Sequence, residues 1–272
     1  AADFAAAEAA ARTAYAAPAA AACLPLAGAQ AAIQLLPRLA PTGRAAILSP
    51  TYNEHAAAFR AAGWQVEEPG DPAALAGADA AVVVNPNNPD GRRHRPGDLL
   101  ALAATTRLLV VDESFADPTP ELSLVPHLGR PGLVVLRSLG KFTGLAGLRL
   151  GFALGAPADI ARLADLAGPW AVSGPALALG AAALADTAWT EAPRPRLAAD
   201  ARRLDALTPW PLVGGTSLFR TYATPDAAAA QARLARARIW TRVFPWSPTW
   251  LRLGLPGDEP EWTRLAAALP TR

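Results

Sequence analysis

The amino-acid sequence predicts an α/β protein, with a mostly parallel open sheet and flanking helices followed by a smaller C-terminal α+β domain. Two observations carry this prediction. Several short runs are apolar on both faces, as in parallel strands covered by helices, and helical stretches alternate with several of these runs. The 272 residues, of which 52% are hydrophobic, are enough for one large domain and a second, smaller one.

The first half of the chain supplies the elements of the predicted sheet. Helices are expected over residues 3–16, ending near Pro18, and over AQAAIQLLPRL, which follows a turn at Ala27-Gly28. Apolar runs bounded by turn residues are expected to be strands: RAAILSP (44–50), DAAVVVNP (79–86), RLLVVDE (107–113), GLVVLRS (132–138) and LRLGFALG (148–155). Helices are expected among them at 54–62, 97–105 and 157–167.

The pattern changes after Gly168-Pro169, and we place a domain boundary there. Residues 1–168 are expected to form the large α/β domain and residues 169–272 the small α+β domain. The small domain is expected to contain helices at 175–188, 194–207, 226–238 and 259–269, a strand candidate with a glycine bend in LVGGTSLFRTY, and the segment TWLRLGLPG.

Composition excludes several classes of protein. The net charge is only +2 and the arginines are scattered, so no contiguous basic patch indicates nucleic-acid binding. No apolar run reaches the roughly 18 residues of a membrane span. Cys23 is the single cysteine and has no matching metal-ligand set, so we expect a buried thiol, no internal disulfide and a cytoplasmic location. The sequence contains no methionine, so its front is expected to be incomplete.

Distinctive residues follow the predicted strands, at the carboxyl ends where ligands collect in open α/β sheets. The strands end in SPTYNEH, VVVNPNNPDG, VVDESF and RSLGK, and Gly28-Ala29-Gln30 forms a glycine turn before a helix. Each motif alone fits an ordinary turn, helix cap or helix start. Their order is more informative: glycine turn, aromatic after proline, NPxNPxG, DExF, SxGK, and Arg149 eight positions after Lys141 (149 − 141).

This order resembles the fold-type I pyridoxal-phosphate enzymes, in the aminotransferase class that contains the histidinol-phosphate aminotransferases. The resemblance runs from Ala27 to the last helix and implies the fold of the pyridoxal-phosphate-dependent transferases. It also implies that Lys141, the one lysine of RSLGKFTGLAGLRLGF, holds the cofactor covalently through its neutral amine. Once the substrate amine displaces it, Lys141 would move protons at the substrate Cα.

The resemblance assigns a role to each of the other motifs. Asp112 would pair with the protonated pyridine nitrogen, Asn88 would hydrogen-bond the 3′ oxygen of the ring, and Tyr52 would stack on the ring face.

The cofactor phosphate would be bound where an anion meets a helix N-terminus and a guanidinium group. The residues that the resemblance assigns to this phosphate are Gly28, the backbone amides of Ala29 and Gln30, Ser138 and Arg149.

Arginines are the expected substrate ligands. Arg252 in LRLGLP matches the arginine that binds the substrate α-carboxylate through a bidentate pair. Arg242 in IWTRVF would bind a substrate phosphate, or is a solvated arginine on a strand. His55 either supports Asp112 from behind or lies on a helix face, and Arg220 is expected to be structural.

Two departures from the class stand out. Phe115 replaces a tyrosine whose hydroxyl would bond the cofactor oxygen, so the electronics of the cofactor are expected to be shifted. The class also has an N-terminal arm with a tyrosine that reaches the cofactor phosphate of the neighbouring subunit in a homodimer. The sequence begins after that point, so we expect the arm to be missing or its role to be filled differently.

Phe115, GGTSLFR and WLRLGLPG resemble the threonine-phosphate decarboxylases of cobalamin biosynthesis. This resemblance implies the conversion of O-phospho-L-threonine, a small phosphorylated amino acid, to aminopropanol phosphate and CO2. The cofactor motifs fit an aminotransferase of the histidinol-phosphate type equally well. A non-catalytic relative that binds the cofactor as the sensor of a regulator is the third reading.

Overall fold

The computed structural model describes residues 2–270 and divides them into two compact units. The first unit contains the chain up to Pro86 together with Arg93–Thr190. The second contains Asn87–Arg92 and the chain from Glu191 onward. The predicted division after residue 168 into a large cofactor-binding domain and a small domain stays a prediction.

The first unit is built on a seven-stranded sheet. Its strands in chain order are β1 Ala22–Leu26, β2 Arg44–Ile47, β3 Gln65–Glu67, β4 Ala80–Val84, β5 Leu108–Asp112, β6 Leu133–Ser138 and β7 Gly151–Gly155. The order across the sheet is β1-β7-β6-β5-β4-β2-β3. Strands β2 to β6 pair in parallel, whereas β7 pairs antiparallel with both β1 and β6. The predicted α/β class with a mostly parallel open sheet is confirmed.

Strand β7 differs from its prediction in both direction and start. The run 148–155 was expected to be a parallel strand, but the strand begins at Gly151 and runs against its neighbours. A 3₁₀ turn at Ala146–Leu148 and a left-handed residue, Arg149 with φ 54°, precede it. A parallel connection needs a crossover of a dozen or more residues, usually a helix, and no α-helix separates β6 from β7.

Helices cover both faces of this sheet. They are α1 Ala2–Ala14, α2 Ala29–Leu35, α3 Glu54–Ala61, α4 Pro96–Thr105, α5 Pro157–Ala167, α6 Gly174–Ala185 and α7 Thr187–Glu191. Apolar residues of α1, α4 and α6 join one buried cluster, and those of α2, α3 and α5 join a second. The α-helical part of AQAAIQLLPRL ends at Leu35 and continues as a 3₁₀ turn, Leu36–Arg38, because Pro37 has no N–H to donate.

The second unit combines α8 Pro193–Leu207, α9 Ala227–Arg236 and α10 Glu259–Ala268 with a four-stranded antiparallel sheet. Its strands are β8 Leu212–Thr216, β9 Phe219–Ala223, β10 Arg242–Phe244 and β11 Ser247–Gly254, in the order β10-β11-β9-β8. LVGGTSLFRTY was expected to be one bent strand, and it is a hairpin of β8 and β9.

A separate apolar cluster that includes Leu204, Tyr222, Leu234, Leu251 and Trp262 forms the core of the second unit. Across residues 2–270, the structure contains no helix with the length and apolar character that crossing a bilayer requires.

Candidate functional site

One edge of the seven-stranded sheet collects the residues predicted for the cofactor. Parallel strands end on the same side, so Asp112 at the end of β5 and Ser138 at the end of β6 lie at this edge. Strand β7 runs the other way and therefore begins there, two residues after Arg149. Gly28 follows β1, which runs in the same direction as β6 because both are antiparallel to β7.

Asp112 is a buried carboxylate with its hydrogen bonds satisfied. One oxygen lies 2.9 Å from Nε2 of His55 on α3, and the other accepts bonds from the backbone N–H and the hydroxyl of Ser114, at 2.9 and 2.5 Å. Burial raises the pKa of Asp112, but the His55 and Ser114 contacts outweigh it, so the pKa lies below its ordinary value of 3.8. Asp112 is thus a fixed negative charge at neutral pH.

His55 supports Asp112, which was one of the two readings of this residue. Sequence reasoning missed Ser114, although a serine two positions after an aspartate is a common partner of that carboxylate.

The Gly28 turn after β1, Ser138 at the end of β6 and residues 149–151 lie close together, and we call this group the glycine cluster. Gly151 pairs with Leu26 on one side and with Ser138 on the other, so three adjacent strands meet at the glycine cluster. A Cβ built at Gly28, which has φ 80°, would lie 2.8 Å from Nη2 of Arg149, and a Cβ at Gly151 would lie 2.5 Å from the backbone nitrogen of Ala29. The guanidinium of Arg149 therefore lies directly against the glycine turn.

The hydrogen-bond donors of the glycine cluster suit an anion. Ala29 and Gln30 are the first two residues of α2, and N–H groups in a first helical turn have no acceptor within the helix. The Ser138 hydroxyl oxygen accepts a hydrogen bond of 3.2 Å from the Gly140 backbone N–H. The hydrogen of this hydroxyl can rotate to donate to an anion.

Tyr52 is tied to this region through its hydroxyl. The Tyr52 hydroxyl lies 3.2 Å from Oε1 of Gln30, whose amide nitrogen donates a 3.0 Å bond to Glu54. The Tyr52 ring is 38% exposed and meets the His55 ring edge-on, with centroids 6.2 Å apart. These two contacts orient the Tyr52 ring relative to α2, which carries Gln30, and α3, which carries His55.

Lys141 lies three residues after β6 and its side chain is exposed. Nζ of Lys141 lies 5.5 Å from the centroid of the half-buried Phe115 ring. Phe115 follows Asp112 by three positions, so the same loop carries the buried carboxylate and the aromatic face beside the lysine.

A buried ionic network, missed by the sequence reasoning, lies beside the site residues in the chain. Arg137 donates to Glu113 at 2.9 Å and to Asp117 at 2.5 Å, and its guanidinium stacks 4.2 Å from the Tyr15 ring centroid. Glu113 also accepts bonds of 2.6 Å from the Ser123 hydroxyl and from the backbone of Leu124. Since Glu113 follows Asp112 and Arg137 precedes Ser138, this network fixes the ends of β5 and β6 against each other.

The second unit brings together Asn88, Arg242 and Arg252. Arg242 on β10 and Arg252 on β11 are direct cross-strand partners, so their side chains leave the same face of the sheet. Arg252 donates to the side-chain oxygen of Asn88, and its guanidinium lies 5.1 Å from the Phe219 ring centroid. Burial, and then the positive charge of Arg242, lower the pKa of Arg252.

Two arginines held side by side in this way favour an anion between or beside them. Arg220 has a different environment, since it forms a bidentate pair with Asp205 at 2.9 and 2.6 Å. Its charge is neutralised within the unit, which agrees with the structural role expected for it.

Comparisons of the chain with known proteins identify its family. The model of the family "Aminotransferase class I and II" matches residues 3–269. A threonine-phosphate decarboxylase of Pseudomonas aeruginosa is 49% identical over 256 residues, covering 90% of this chain and 77% of the relative.

Two solved structures share the fold. The histidinol-phosphate aminotransferase of Sinorhizobium meliloti, solved in complex with pyridoxal-5′-phosphate, gives a TM-score of 0.87 at 21% identity over 98% of this chain and 80% of the other. The L-threonine-O-3-phosphate decarboxylase of Porphyromonas gingivalis gives 0.82 at 21% identity over 96% and 85%. The match of the family model over nearly the whole length, together with the close relative, shows that the chain belongs to the aminotransferase class I and II family.

Proposed function

We propose that this chain is a pyridoxal-phosphate-dependent lyase. It decarboxylates L-threonine O-3-phosphate to (R)-1-aminopropan-2-yl phosphate and CO2, a step of cobalamin biosynthesis. The support is its 49% identity to a protein named threonine-phosphate decarboxylase, together with two adjacent arginines suited to a substrate that carries two anionic groups.

The residues of the first unit fit pyridoxal phosphate. Asp112 is buried and ionised, as a partner of a protonated pyridine nitrogen must be. The guanidinium of Arg149 lies where a Cβ at Gly28 would collide with it, so its close approach to the turn before α2 depends on the residue being glycine. Lys141 is the single lysine among the 272 residues, which leaves one side-chain amine to hold an aldehyde.

Each residue of the first unit then has a defined task. Ser138, Arg149 and the amides of Ala29 and Gln30 bind the cofactor phosphate, and Tyr52 packs its flat face on the ring. When bound, pyridoxal phosphate supplies an electron-withdrawing ring that accepts the electron pair of a broken Cα bond. Asp112 holds a negative charge beside the ring nitrogen, and Lys141 exchanges a proton with the substrate Cα.

The second unit supplies the ligands for the substrate. Arg252, with its guanidinium oriented by Asn88 and Phe219, binds the α-carboxylate, and Arg242 binds the substrate phosphate. Asn88 is also assigned to the 3′ oxygen of the cofactor. We choose a phosphorylated amino acid as the substrate because Arg242 pairs with Arg252. A substrate with one anionic group would need only one of these two arginines.

The alternative is an aminotransferase of the histidinol-phosphate type, which would use the same cofactor residues. The two functions differ in their need for a keto acid, since a decarboxylase needs none. The test supplies O-phospho-L-threonine without any keto acid, and separately histidinol phosphate with 2-oxoglutarate. Sustained release of CO2 and aminopropanol phosphate supports the proposal. Glutamate formation from the second pair, with no CO2 from the first, favours the aminotransferase.

We also propose that the protein acts as a homodimer, as its resemblance to the class implies, and that it is cytoplasmic, as expected from its single cysteine. Light scattering on the purified protein at micromolar concentration tests the assembly. A mass of one chain, 28.1 kDa, at all concentrations would contradict it.

A further inference from the structure

Two carboxylates of the loop that follows β5 meet one buried arginine. Glu113 is the first residue of this loop, residues 113–117, and Asp117 is the last. Arg137, near the end of β6, donates to Glu113 at 2.9 Å through one terminal nitrogen and to Asp117 at 2.5 Å through the other. A guanidinium group can reach two acceptors at once because its nitrogens form a rigid planar fork. Arg137 therefore joins both ends of the 113–117 loop to β6.

The guanidinium group of Arg137 has little freedom to move. The Arg137 side chain is 4% exposed, and its guanidinium lies 4.2 Å from the centroid of the Tyr15 ring. Glu113 also accepts a bond of 2.6 Å from the Ser123 hydroxyl, which fixes this carboxylate from a second direction. The bond from Arg137 to Asp117 then connects the far end of the loop to an arrangement that is already fixed.

Ser114 lies inside this loop and contacts Asp112. The backbone N–H and the hydroxyl of Ser114 both donate to one oxygen of the Asp112 carboxylate, at 2.9 and 2.5 Å. The sheet holds the backbone of Asp112, which pairs with Leu136 of β6 and accepts a 2.9 Å bond from the backbone N–H of Asn85. Ser114 lies beyond the end of β5, so its position depends on how the loop is held.

An ion pair buried in this way is a weak source of net stability, because the cost of removing its charges from water offsets most of their attraction. What such a pair can add is a fixed geometry. Here the geometry is that of the loop carrying Ser114, since both ends of the loop are bonded to the same guanidinium group. An apolar residue in place of Arg137 could fill the space but could not hold both ends.

We propose that Arg137 is a positioning residue for Asp112. By joining Glu113 to Asp117, it holds the 113–117 loop so that both donors of Ser114 stay on the Asp112 carboxylate. The carboxylate then keeps the orientation in which its charge stabilises a proton on the ring nitrogen of the cofactor. This last step rests on the proposed function, whereas the contacts among Arg137, the loop and Asp112 belong to the chain itself.

His55 contacts the same carboxylate from the other side. Its Nε2 lies 2.9 Å from the second oxygen of Asp112, and the His55 side chain on α3 is 1% exposed. The two oxygens of Asp112 thus have separate supports, one from α3 and one from the loop that contains Ser114. If the loop moves, the Ser114 bonds weaken and the carboxylate turns about its contact with His55.

The first test follows the His55 ring in the full protein without cofactor. The chain has three histidines, so replacing each in turn identifies the ring signals in protein labelled with [15N]histidine. Asp117→Asn should shift the 15N resonance of His55 Nε2, because the Asp112 carboxylate turns. Glu121→Gln, at an exposed acid just after the loop, is the matched control and should leave the resonance in place. An unchanged His55 resonance in Asp117→Asn would overturn the proposal.

These variants are expected to fold. Asp117→Asn keeps the size of the side chain and leaves the charge of Arg137 balanced by Glu113. Arg137→Lys keeps the charge but has a single nitrogen in place of the fork, so it should shift the His55 resonance in the same direction as Asp117→Asn. A lower melting temperature with an unmoved His55 resonance in both variants would show a purely structural role and contradict the proposal.

A double substitution tests whether the effect passes through Ser114. Ser114→Ala removes the hydroxyl donor, so the loop has less influence on Asp112 in this variant. Adding Asp117→Asn to Ser114→Ala should therefore shift the His55 resonance much less than Asp117→Asn does alone. Equal shifts in the two backgrounds would contradict a role through Ser114.

A second readout links Arg137 to the cofactor. Protein is loaded with pyridoxal phosphate that carries 15N in the ring, because the 15N resonance distinguishes a protonated ring nitrogen from a neutral one. In Asp117→Asn the resonance should move toward the neutral position, and kcat per bound cofactor should fall about tenfold, the effect of one charge-assisted hydrogen bond. KM for O-phospho-L-threonine should stay the same, since the arginines proposed for the substrate lie in the second unit.

The outcomes separate this inference from the proposed function. A raised KM with an unmoved ring-nitrogen resonance in Asp117→Asn would contradict the positioning role. Wild-type protein that binds no pyridoxal phosphate would contradict the proposed function instead. In that case the His55 resonances still decide whether Arg137 positions Asp112.

Discussion

At the scale of single residues, Asp112 shows how a buried charge is kept ionised. Its carboxylate loses water but gains a histidine contact and two bonds from Ser114, and the balance lowers its pKa. The motif DESF identifies this aspartate in the sequence. Its partner His55 lies 57 positions away, and only the packing of α3 on the sheet brings the two together.

We expect Asp112→Asn to slow turnover by about a hundredfold or more, because the amide removes a preorganised charge from the proposed cofactor nitrogen. Steady-state CO2 release measures the effect. Asp98→Asn, at an exposed aspartate in the first turn of α4, is the matched control and should retain activity. A near wild-type rate in Asp112→Asn would show that the essential carboxylate is another one.

The lowered pKa of Asp112 also predicts how stability depends on pH. The contribution of this group is fully present above its unfolded pKa of about 4 and is lost as pH falls through the lower folded value. Urea unfolding between pH 5 and pH 2 should therefore show a shallower loss of stability in Asp112→Asn than in Asp98→Asn. Parallel pH profiles in the two variants would contradict a depressed pKa.

Lys141→Ala should abolish turnover and leave the fold intact, since the chain has no second lysine to replace it. Borohydride reduction in the presence of pyridoxal phosphate should attach one cofactor to the peptide that contains Lys141. Mass spectrometry of the digest locates the label, and Lys141→Arg is the control for reaction at the terminal amine. Residual steady-state activity in Lys141→Ala would remove the lysine from the mechanism.

At the scale of elements, β7 is the strand that brings the glycine cluster together. Lying antiparallel between β1 and β6, it carries Gly151 to the point where the Gly28 turn and Ser138 meet. The sequence indicated a strand here but not its direction, because an apolar run carries no sign of polarity. Strand β1, with Pro25 in a five-residue run, and β3, with three residues, were too short and irregular to recognise.

Gly151→Ala tests whether this packing forms a cofactor site. The added Cβ would lie 2.5 Å from the Ala29 nitrogen and 2.8 Å from the Arg137 carbonyl oxygen, so the turn must shift. We expect the dissociation constant for pyridoxal phosphate to rise about tenfold or more, or about 1.4 kcal/mol. Gly147→Ala, where an added Cβ meets nothing within 4 Å, is the matched control in the same loop. Equal cofactor affinity in both variants would place the phosphate elsewhere.

Arg242, on the strand pair β10–β11, provides the prediction for the substrate. Arg242→Ala should raise KM for O-phospho-L-threonine about tenfold or more, because a charge-assisted hydrogen bond is lost, and should change KM for L-threonine far less. Arg236→Ala, at an exposed arginine in the last turn of α9, is the control. Equal effects of Arg242→Ala on both substrates would remove this residue from the phosphate site.

At the scale of the whole molecule, strand order explains why scattered motifs make one site. Gly28 and Arg149 stand far apart in the sequence, yet they meet because β1 lies beside β7 in the sheet. The motifs themselves, and most helices, could be recognised in the sequence. The Glu113–Arg137 network could not, because a buried ion pair between two strands has no local pattern.

Turnover of O-phospho-L-threonine in D2O, with no keto acid, tests the central claim most directly. The account predicts equimolar CO2 and aminopropanol phosphate over many turnovers, with one deuterium on the carbon that lost the carboxylate. Absence of CO2, together with deuterium in the recovered substrate and loss of the cofactor aldehyde, would contradict a decarboxylase and indicate transamination.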